Sequence, residues 1–363
     1  MSMEHLDTWR AFTATLADAA DSLTWPGLEL DDLDRAEGLR YLARLVENGV
    51  GAQLGTESPG HPAFRIVSNG FGMDNPDNRY LASPVHPRHE YRISGTPGRL
   101  SYLSFAAQNQ NFARSSGITG GAGQLHGGEL DLDADGRFTI IASTEPHDGN
   151  WLRLADDTRM VLVRQTRADP ATESWVDVDI ECIDHDDPPP PLDAARTADR
   201  LAMVALYAGG AASWFVDWVR PWLDRPNRFE FADADEQVRV GGDPNIVAQS
   251  AYWSLGADEA WVVEITPPTC AYWNIQLANI WAECLDTRRP VWRNNTNVVA
   301  DADGVVRIVV AHSDPGHPNW LDTAGHRHGT AHVRYVVAES RPPAVAKVVP
   351  VDQIPRPPSR GST

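Results

Sequence analysis

Several things are scarce in this sequence, and each shortage removes a class of function. Cysteine is one: the 363 residues hold three, Cys182, Cys270 and Cys284, odd in number and widely spaced. They match no zinc or redox spacing, so reduced and mostly buried thiols are expected, with no disulfide framework. Positive charge is another, with 31 Lys and Arg against 50 Asp and Glu and a formal net charge of −19. No stretch collects the basic residues, which argues against nucleic acid or an anionic membrane surface as partner. Met1 to Leu23 carries Glu4, Asp7, Asp18 and Asp21 where a secretory leader needs a basic start and an unbroken apolar centre. The longest uncharged apolar run, 201–216, has Gly209-Gly210 in its middle and is short of a membrane span, so it reads as a buried helix. No phosphate loop, Rossmann fingerprint or serine elbow occurs, and the glycine-rich stretch 117–128 lacks the Lys and the strand–helix setting of a phosphate cradle. That stretch reads as a mobile loop, a candidate lid. The expectation is a cytoplasmic protein whose partner is a small molecule, with a homo-oligomer left open.

What is present is a change of texture along the chain. Residues 3–24 and 31–49 read as two helices; in the second, Leu33, Ala36, Leu39, Leu42 and Val46 recur at helical spacing, Asp31 or Asp32 can cap the start, and Gly49 marks the end. After Pro59 short β-rich runs take over until four prolines, 188–191, which fit only a stiff extended linker. A helix is expected over 193–223, a shorter one over 245–254, strand texture again from Trp261, and an extended Pro-rich tail. The domain reading is a helical segment 1–58, a first β module 59–185, a linker and connector 186–236, a second β module 237–341 and a tail 342–363.

The two β regions repeat each other. The run Asp133-Ala134-Asp135-Gly136 answers Asp301-Ala302-Asp303-Gly304, each between apolar runs, and Asp-Gly supplies the positive φ of a tight turn. Asn150-Trp151-Leu152 answers Asn319-Trp320-Leu321, and Val163-Arg164 answers Val333-Arg334, at offsets drifting only from 168 to 170. The same order at nearly constant offset signals duplication. The fold class expected is α+β: two tandem antiparallel β-sandwich-like modules, with helical segments at the amino terminus and between them.

The stretch Asp74-Asn75-Pro76-Asp77-Asn78-Arg79-Tyr80, followed by Tyr91-Arg92-Ile93, resembles the first half of a bacterial family with tandem domains of unknown function 1254 and 1214. Tyr272-Trp273-Asn274, Asn319-Trp320-Leu321 and Val333-Arg334-Tyr335 resemble the second half. The resemblance covers roughly 60–165 and 240–340 and implies two sandwich-like domains with helical additions. It names no reaction, and the histidines on the last strand depart from its pattern.

Those histidines are the sharpest chemical feature. His312, His317, His326, His328 and His332 cluster in the second copy, while the matching strand of the first, Thr158 to Arg164, has none. If 325–335 is a strand, alternation places His326, His328, Thr330, His332 and Arg334 on one face. One reading makes His328 or His332 a general acid–base, oriented by Asp314 or Asp322, with Arg334 stabilising negative charge. A second makes the cluster a divalent-metal site with Asp314 or Glu264 as a further ligand; a third is a polar strand facing solvent. Trp320 could wall the site or plug the sandwich end, as Trp151 does in the other copy. Tyr272, Asn274 and Gln276 share one face of a strand and suit a hydroxylated or carbonyl-bearing ligand, with His326 and His312 as further binding candidates. Asp74 to Asn78 reads as a turn, with calcium or a carboxylate pair as the alternative. The functional expectation is an enzyme acting on a small neutral apolar or hydroxylated substrate by hydrolysis, hydration or elimination, with its site in the second module and no cofactor required. A non-catalytic ligand-binding or scaffold protein is the alternative.

Overall fold

The computed structural model describes residues 3–354 except Thr56, Ser68, Asn69, Phe71, 111–117 and 120–121, with the backbone alone at 3–5, 110 and 118–119. Gly117, Gly120 and Gly121 of the glycine-rich stretch, and residues 355–363 of the tail, lie outside the described residues.

The duplication is realised strand for strand. The first module contains β1 (Asn78–Pro84), β2 (Tyr91–Gly95), β3 (Tyr102–Gln110), β4 (Phe138–Ser143), β5 (Trp151–Arg153), β6 (Met160–Thr166) and β7 (Val178–Cys182). The second contains β8 (Ile246–Ser254), β9 (Glu259–Ile265), β10 (Tyr272–Ala278), β11 (Val306–Ala311), β12 (Trp320–Asp322), β13 (His328–Val336) and β14 (Val345–Pro350). One sheet has β1-β6-β3 at its centre and its counterpart β8-β13-β10, each with strands of two or three residues at its edges; the facing sheets run β7-β2-β4-β5 and β14-β9-β11-β12. Among the described residues only β4–β5 and β11–β12 are parallel, at matching places. Alternation fills each sandwich: Leu103, Phe105, Phe138, Ile140, Val161 and Val163 build one core. Ala331, Val333 and Tyr335 of β13 meet Trp253, Trp261 and Ile308 in the other.

The paired loop motifs act alike. Asn150 Nδ2 donates to the carbonyls of Asp131 and Thr139, and Asn319 Nδ2 to those of Val299 and Arg307. Each Asn thus clips its loop to the hairpin beside it. Trp151 Nε1 donates to Ser143 and Trp320 Nε1 to the carbonyl of Ala311, with Trp320 packed against Ala260, Val309 and Ala311. Both tryptophans are structural plugs.

Two expected elements differ. Residues 246–254 form β8 rather than a helix, paired with β13 along its whole length. Ala251 and Trp253 face the core while Tyr252 faces out, a period of two that outweighs the helix-opening appearance of Asp243-Pro244. The expected tail begins inside the fold, because Val345–Pro350 pairs with β9 as β7 pairs with β2.

Helices α2 (Asp32–Leu54) and α3 (Ala194–Val219) lie over the outward faces of the sheets built on β1-β6-β3 and β8-β13-β10, and α1 (Met3–Asp18) packs on α3. A capping box starts α2: Asp31 accepts from Leu33 N and Asp34 N, and Asp34 accepts from Asp31 N. Gly49 does not end this helix; a Cβ there would lie 3.2–3.3 Å from Tyr207 and Val204, so it is a crossing point with α3. Ala194–Asp224 is long and apolar enough to cross a membrane by length and composition; in the fold it packs on α1 and α2, through Phe215 and Val216 among others.

The modules also exchange the segments that precede their first strands. Asp77, just before β1, lies on the second module, where its carboxylate accepts from Tyr272 Oη and Asn294 Nδ2, both at 2.8 Å. Asp243, just before β8, lies on the first module and accepts from Tyr102 Oη and Ser104 Oγ at 2.9 Å and Arg164 Nη1 at 2.8 Å. Tyr102, Ala168, Tyr272 and Val336 pack together where the two meet.

Candidate functional site

The face carrying the clustered histidines is buried, not solvent-facing. All nine residues of β13 are buried, the odd-numbered ones in the sandwich core and the even-numbered ones under the helices and the Asp74–Asp77 turn. His328 Nε2 lies 3.0 Å from Asp34 Oδ2 and His326 Nε2 lies 2.9 Å from Glu37 Oε2, both carboxylates on α2. Burial works to raise both carboxyls, but hydrogen bonding from His328 and the Asp31 backbone holds Asp34 below its usual range. His326 does the same for Glu37, aided by Asn279. Burial disfavours the His326 cation too, and the Glu37 contact overcomes it, so His326 titrates higher than usual. Asn279 bridges Glu37 and Glu283, and Arg44 donates to Glu283 at 2.7 Å. The outcome is a buried ionic seam joining α2 to the second module.

The other expected site residues scatter. His332 is held between Ser250 and Thr330, and burial keeps it neutral well below its ordinary range. Arg334 donates to Gln276 Oε1 at 2.7 Å and to the Met73 carbonyl. Asn274 donates to Asn75 Oδ1 at 3.1 Å, and Gln276 Nε2 to the Asp74 carbonyl. Tyr272 and Asn274 therefore hold the Asp74–Asp77 turn, which does form a turn, with Asn78 N donating to the Asn75 carbonyl. Asp314 is exposed and caps Gly316 N in its own loop. Asp322 accepts from Arg289 at 2.6 Å, and His317 accepts from Asn319 N within its loop. His312 and His328 share a hollow, an open cleft of about 630 Å³ that Tyr252 and Arg327 also line. His312 Nδ1 lies 2.9 Å from Thr323 Oγ1.

The better-enclosed cavity, about 320 Å³, lies on the equivalent face of the first module. Its floor is the outward side of β1 and β6, including Tyr80, Ala82 and Leu162, and its roof is Trp214, Phe215 and Trp218 of α3. Trp214 and Trp218 meet edge to face at 4.7 Å, which fixes an aromatic wall. Three guanidinium groups reach it. Arg164 is committed to Asp243, and Arg159 donates to the carbonyls of Asp156 and Thr158. Arg65 is half-buried and has no acceptor among the described residues; Gly51 of α2 leaves room for it, since a Cβ there would lie 3.2 Å from its Nη1. Burial lowers its proton affinity, against the pull of Tyr207 and Glu57. The sequence signals for this site were weak: Arg65 meets Tyr80 through the pairing of Arg65–Ile66 with β1, and Trp214 joins them only through the return of α3.

A family model described as protein of unknown function (DUF1214) matches residues 255–339. The crystal structure of an uncharacterized protein from Burkholderia cenocepacia is 36% identical, covers 97% of this chain and 99% of its own, and superposes with a TM-score of 0.92. The chain belongs to the family of that protein and carries a DUF1214 domain. The DUF1214 match falls wholly within the second module, whereas the Burkholderia protein spans both. The VPA0106 protein from Vibrio parahaemolyticus shares the fold at 12% identity, with a TM-score of 0.51 over 86% of this chain and 98% of its own. No curated protein matches the sequence.

Proposed function

We propose that the protein binds a small, largely apolar molecule bearing one carboxylate or similar anionic group, in the cavity of the first module and without covalent chemistry. The supporting observation is the Arg65 guanidinium, without a hydrogen-bond acceptor among the described residues, on an aromatic-walled cavity. A guanidinium withdrawn from water without a partner is costly, and a carboxylate meets its planar fork with two hydrogen bonds. The volume is at the small end of ligand pockets, which limits the ligand to a short chain or a single ring. Titration calorimetry with octanoate, phenylacetate and 1-octanol tests this. The acids should bind and the alcohol bind at least tenfold more weakly, and Arg65→Gln should abolish the difference. Equal affinity of acid and alcohol, or no binding of either, would remove the reading.

A second reading rests on one chain of contacts in the second module. Asp34 Oδ2 stands 3.0 Å from His328 Nε2, and His328 Nδ1 stands 3.1 Å from the Tyr252 hydroxyl, beside the cleft of His312 and Arg327. A carboxylate-oriented imidazole on a hydroxyl is the arrangement of acid–base or nucleophilic catalysis, and it suits hydrolysis of a small neutral ester. Turnover of p-nitrophenyl esters lost in Tyr252→Phe would support it; wild-type rates at the buffer background would end it. We infer too that the first module is the domain of unknown function 1254 of the tandem family, on the motif Asp74 to Tyr80 and its closure of the DUF1214 module. A relative carrying that motif whose turn stayed on its own module would count against this.

A further inference from the structure

We propose that His89, Cys182 and Asp184 form a zinc(II) site at the end of the first module, with His185 as fourth ligand. One potential ligand atom from each of the three lies within 4.8 Å of the others, and among the described residues no other trio of this kind occurs. His89 Nδ1 stands 3.1 Å from Asp184 Oδ1, and Cys182 Sγ stands 3.1 Å from the same oxygen. Tetrahedral zinc, with bonds of about 2.0–2.3 Å to nitrogen, oxygen and sulfur, places its ligand atoms roughly 3–4 Å apart, so small side-chain shifts suffice. The His185 ring centroid is 5.3 Å from that of His89, and Gly60 leaves space for it, because a Cβ there would lie 2.5 Å from the imidazole.

The scaffold is firm where it needs to be. Cys182 ends β7 in register with Tyr91 of β2, and Ile183 N donates to the Glu90 carbonyl. His89 sits in a turn closed by its own N–H on the His86 carbonyl. A ligand set mixing thiolate, imidazole and carboxylate excludes the hard cations calcium and magnesium and fits zinc. Zinc binds the thiolate, so the Cys182 proton must leave to the solvent as the Zn–S bond forms. The site lies directly before the four prolines of 188–191 and would fasten the start of that linker to β2.

Nothing in the cysteine spacing signals this. Its ligands come from two segments some ninety residues apart that only the β2–β7 pairing brings together. The test uses full-length protein stripped with chelator and titrated with cobalt(II) and zinc(II). One equivalent should bind, with a thiolate-to-cobalt charge-transfer band and release of about one proton per zinc. Cys182→Ser should abolish the band and weaken zinc at least tenfold, Asp184→Asn should weaken zinc with the band retained, and Cys270→Ser should change neither. Absence of the band in the wild-type chain, or zinc affinity unchanged in both Cys182→Ser and Asp184→Asn, would overturn the site.

Discussion

The two modules share seven strands in the same order, yet the outward faces of the sheets built on β1-β6-β3 and β8-β13-β10 have opposite fates. Aligned at offsets of 168 to 170, Leu162 and Ala82 of the first face correspond to His332 and Ser250 of the second, and Pro84 to Tyr252. The second face thus presents imidazoles and hydroxyls that bond to one another and to the carboxylates of α2, and it closes. The first presents short apolar groups that satisfy nothing above them, and space remains between sheet and α3. Divergence of the copies turned one face into an adhesive surface for the helices and left a cavity over the other.

That contrast predicts unequal costs. The largest effect should come from Asp34→Ala, which strands His328 and removes part of the α2 capping box. Breaking one side of a buried pair costs roughly 3–5 kcal/mol, so urea unfolding should show a loss of that order, while Arg65→Gln should lose almost nothing. Comparable losses in the two variants would mean that the faces do not differ as described.

Asp243→Asn comes next, at about 1.5–3 kcal/mol, because Arg164 then keeps its place without a charged acceptor. The substitution installs on the first module the amide that Asn75 already supplies to the second, so the fold itself should survive. Ala82→Leu tests the cavity directly. A bulkier side chain on the cavity floor should leave stability within about 1 kcal/mol and weaken octanoate binding about tenfold, a change of roughly 1.4 kcal/mol read by calorimetry. Unaltered affinity would place the ligand elsewhere.

Much of the fold was legible because its signals are local or repeated. Asp135-Gly136, Asn150-Trp151 and their partners gave the duplication, and alternation correctly assigned the two faces of β13. What the face looks at was not legible. Alternation says that His328 and His332 point the same way; it cannot say that Asp34, almost three hundred residues earlier, waits there. The strand over 246–254 was hidden by Asp243-Pro244, whose turn chemistry resembles a helix start but serves the neighbouring module. The cavity was invisible for a related reason. It lies between residues of β1 and β6, Ala82 and Leu162 among them, and a helix that returns over them, and no motif marks missing volume.

The smallest effect is a pH dependence of the adhesive face, visible as a difference between wild type and His326→Gln. His326 titrates above its ordinary 6.5 in the fold, because the Glu37 contact outweighs the burial that disfavours its cation. Its contribution is therefore complete below 6.5 and declines as pH rises through the elevated folded value. Glu37 titrates below its ordinary 4.5, so the pair persists down to that range. Asp34 adds attraction to His326 and Arg40 adds attraction to Glu37. His332, buried and neutral, lowers stability on the acid side in both proteins and cancels in the difference. Melting temperatures from pH 5 to pH 9 should thus show the widest gap between wild type and variant below about 6.5, narrowing toward alkali. A gap that widened with pH would mean that His326 is held neutral, and that the second face is joined to α2 by neutral hydrogen bonds.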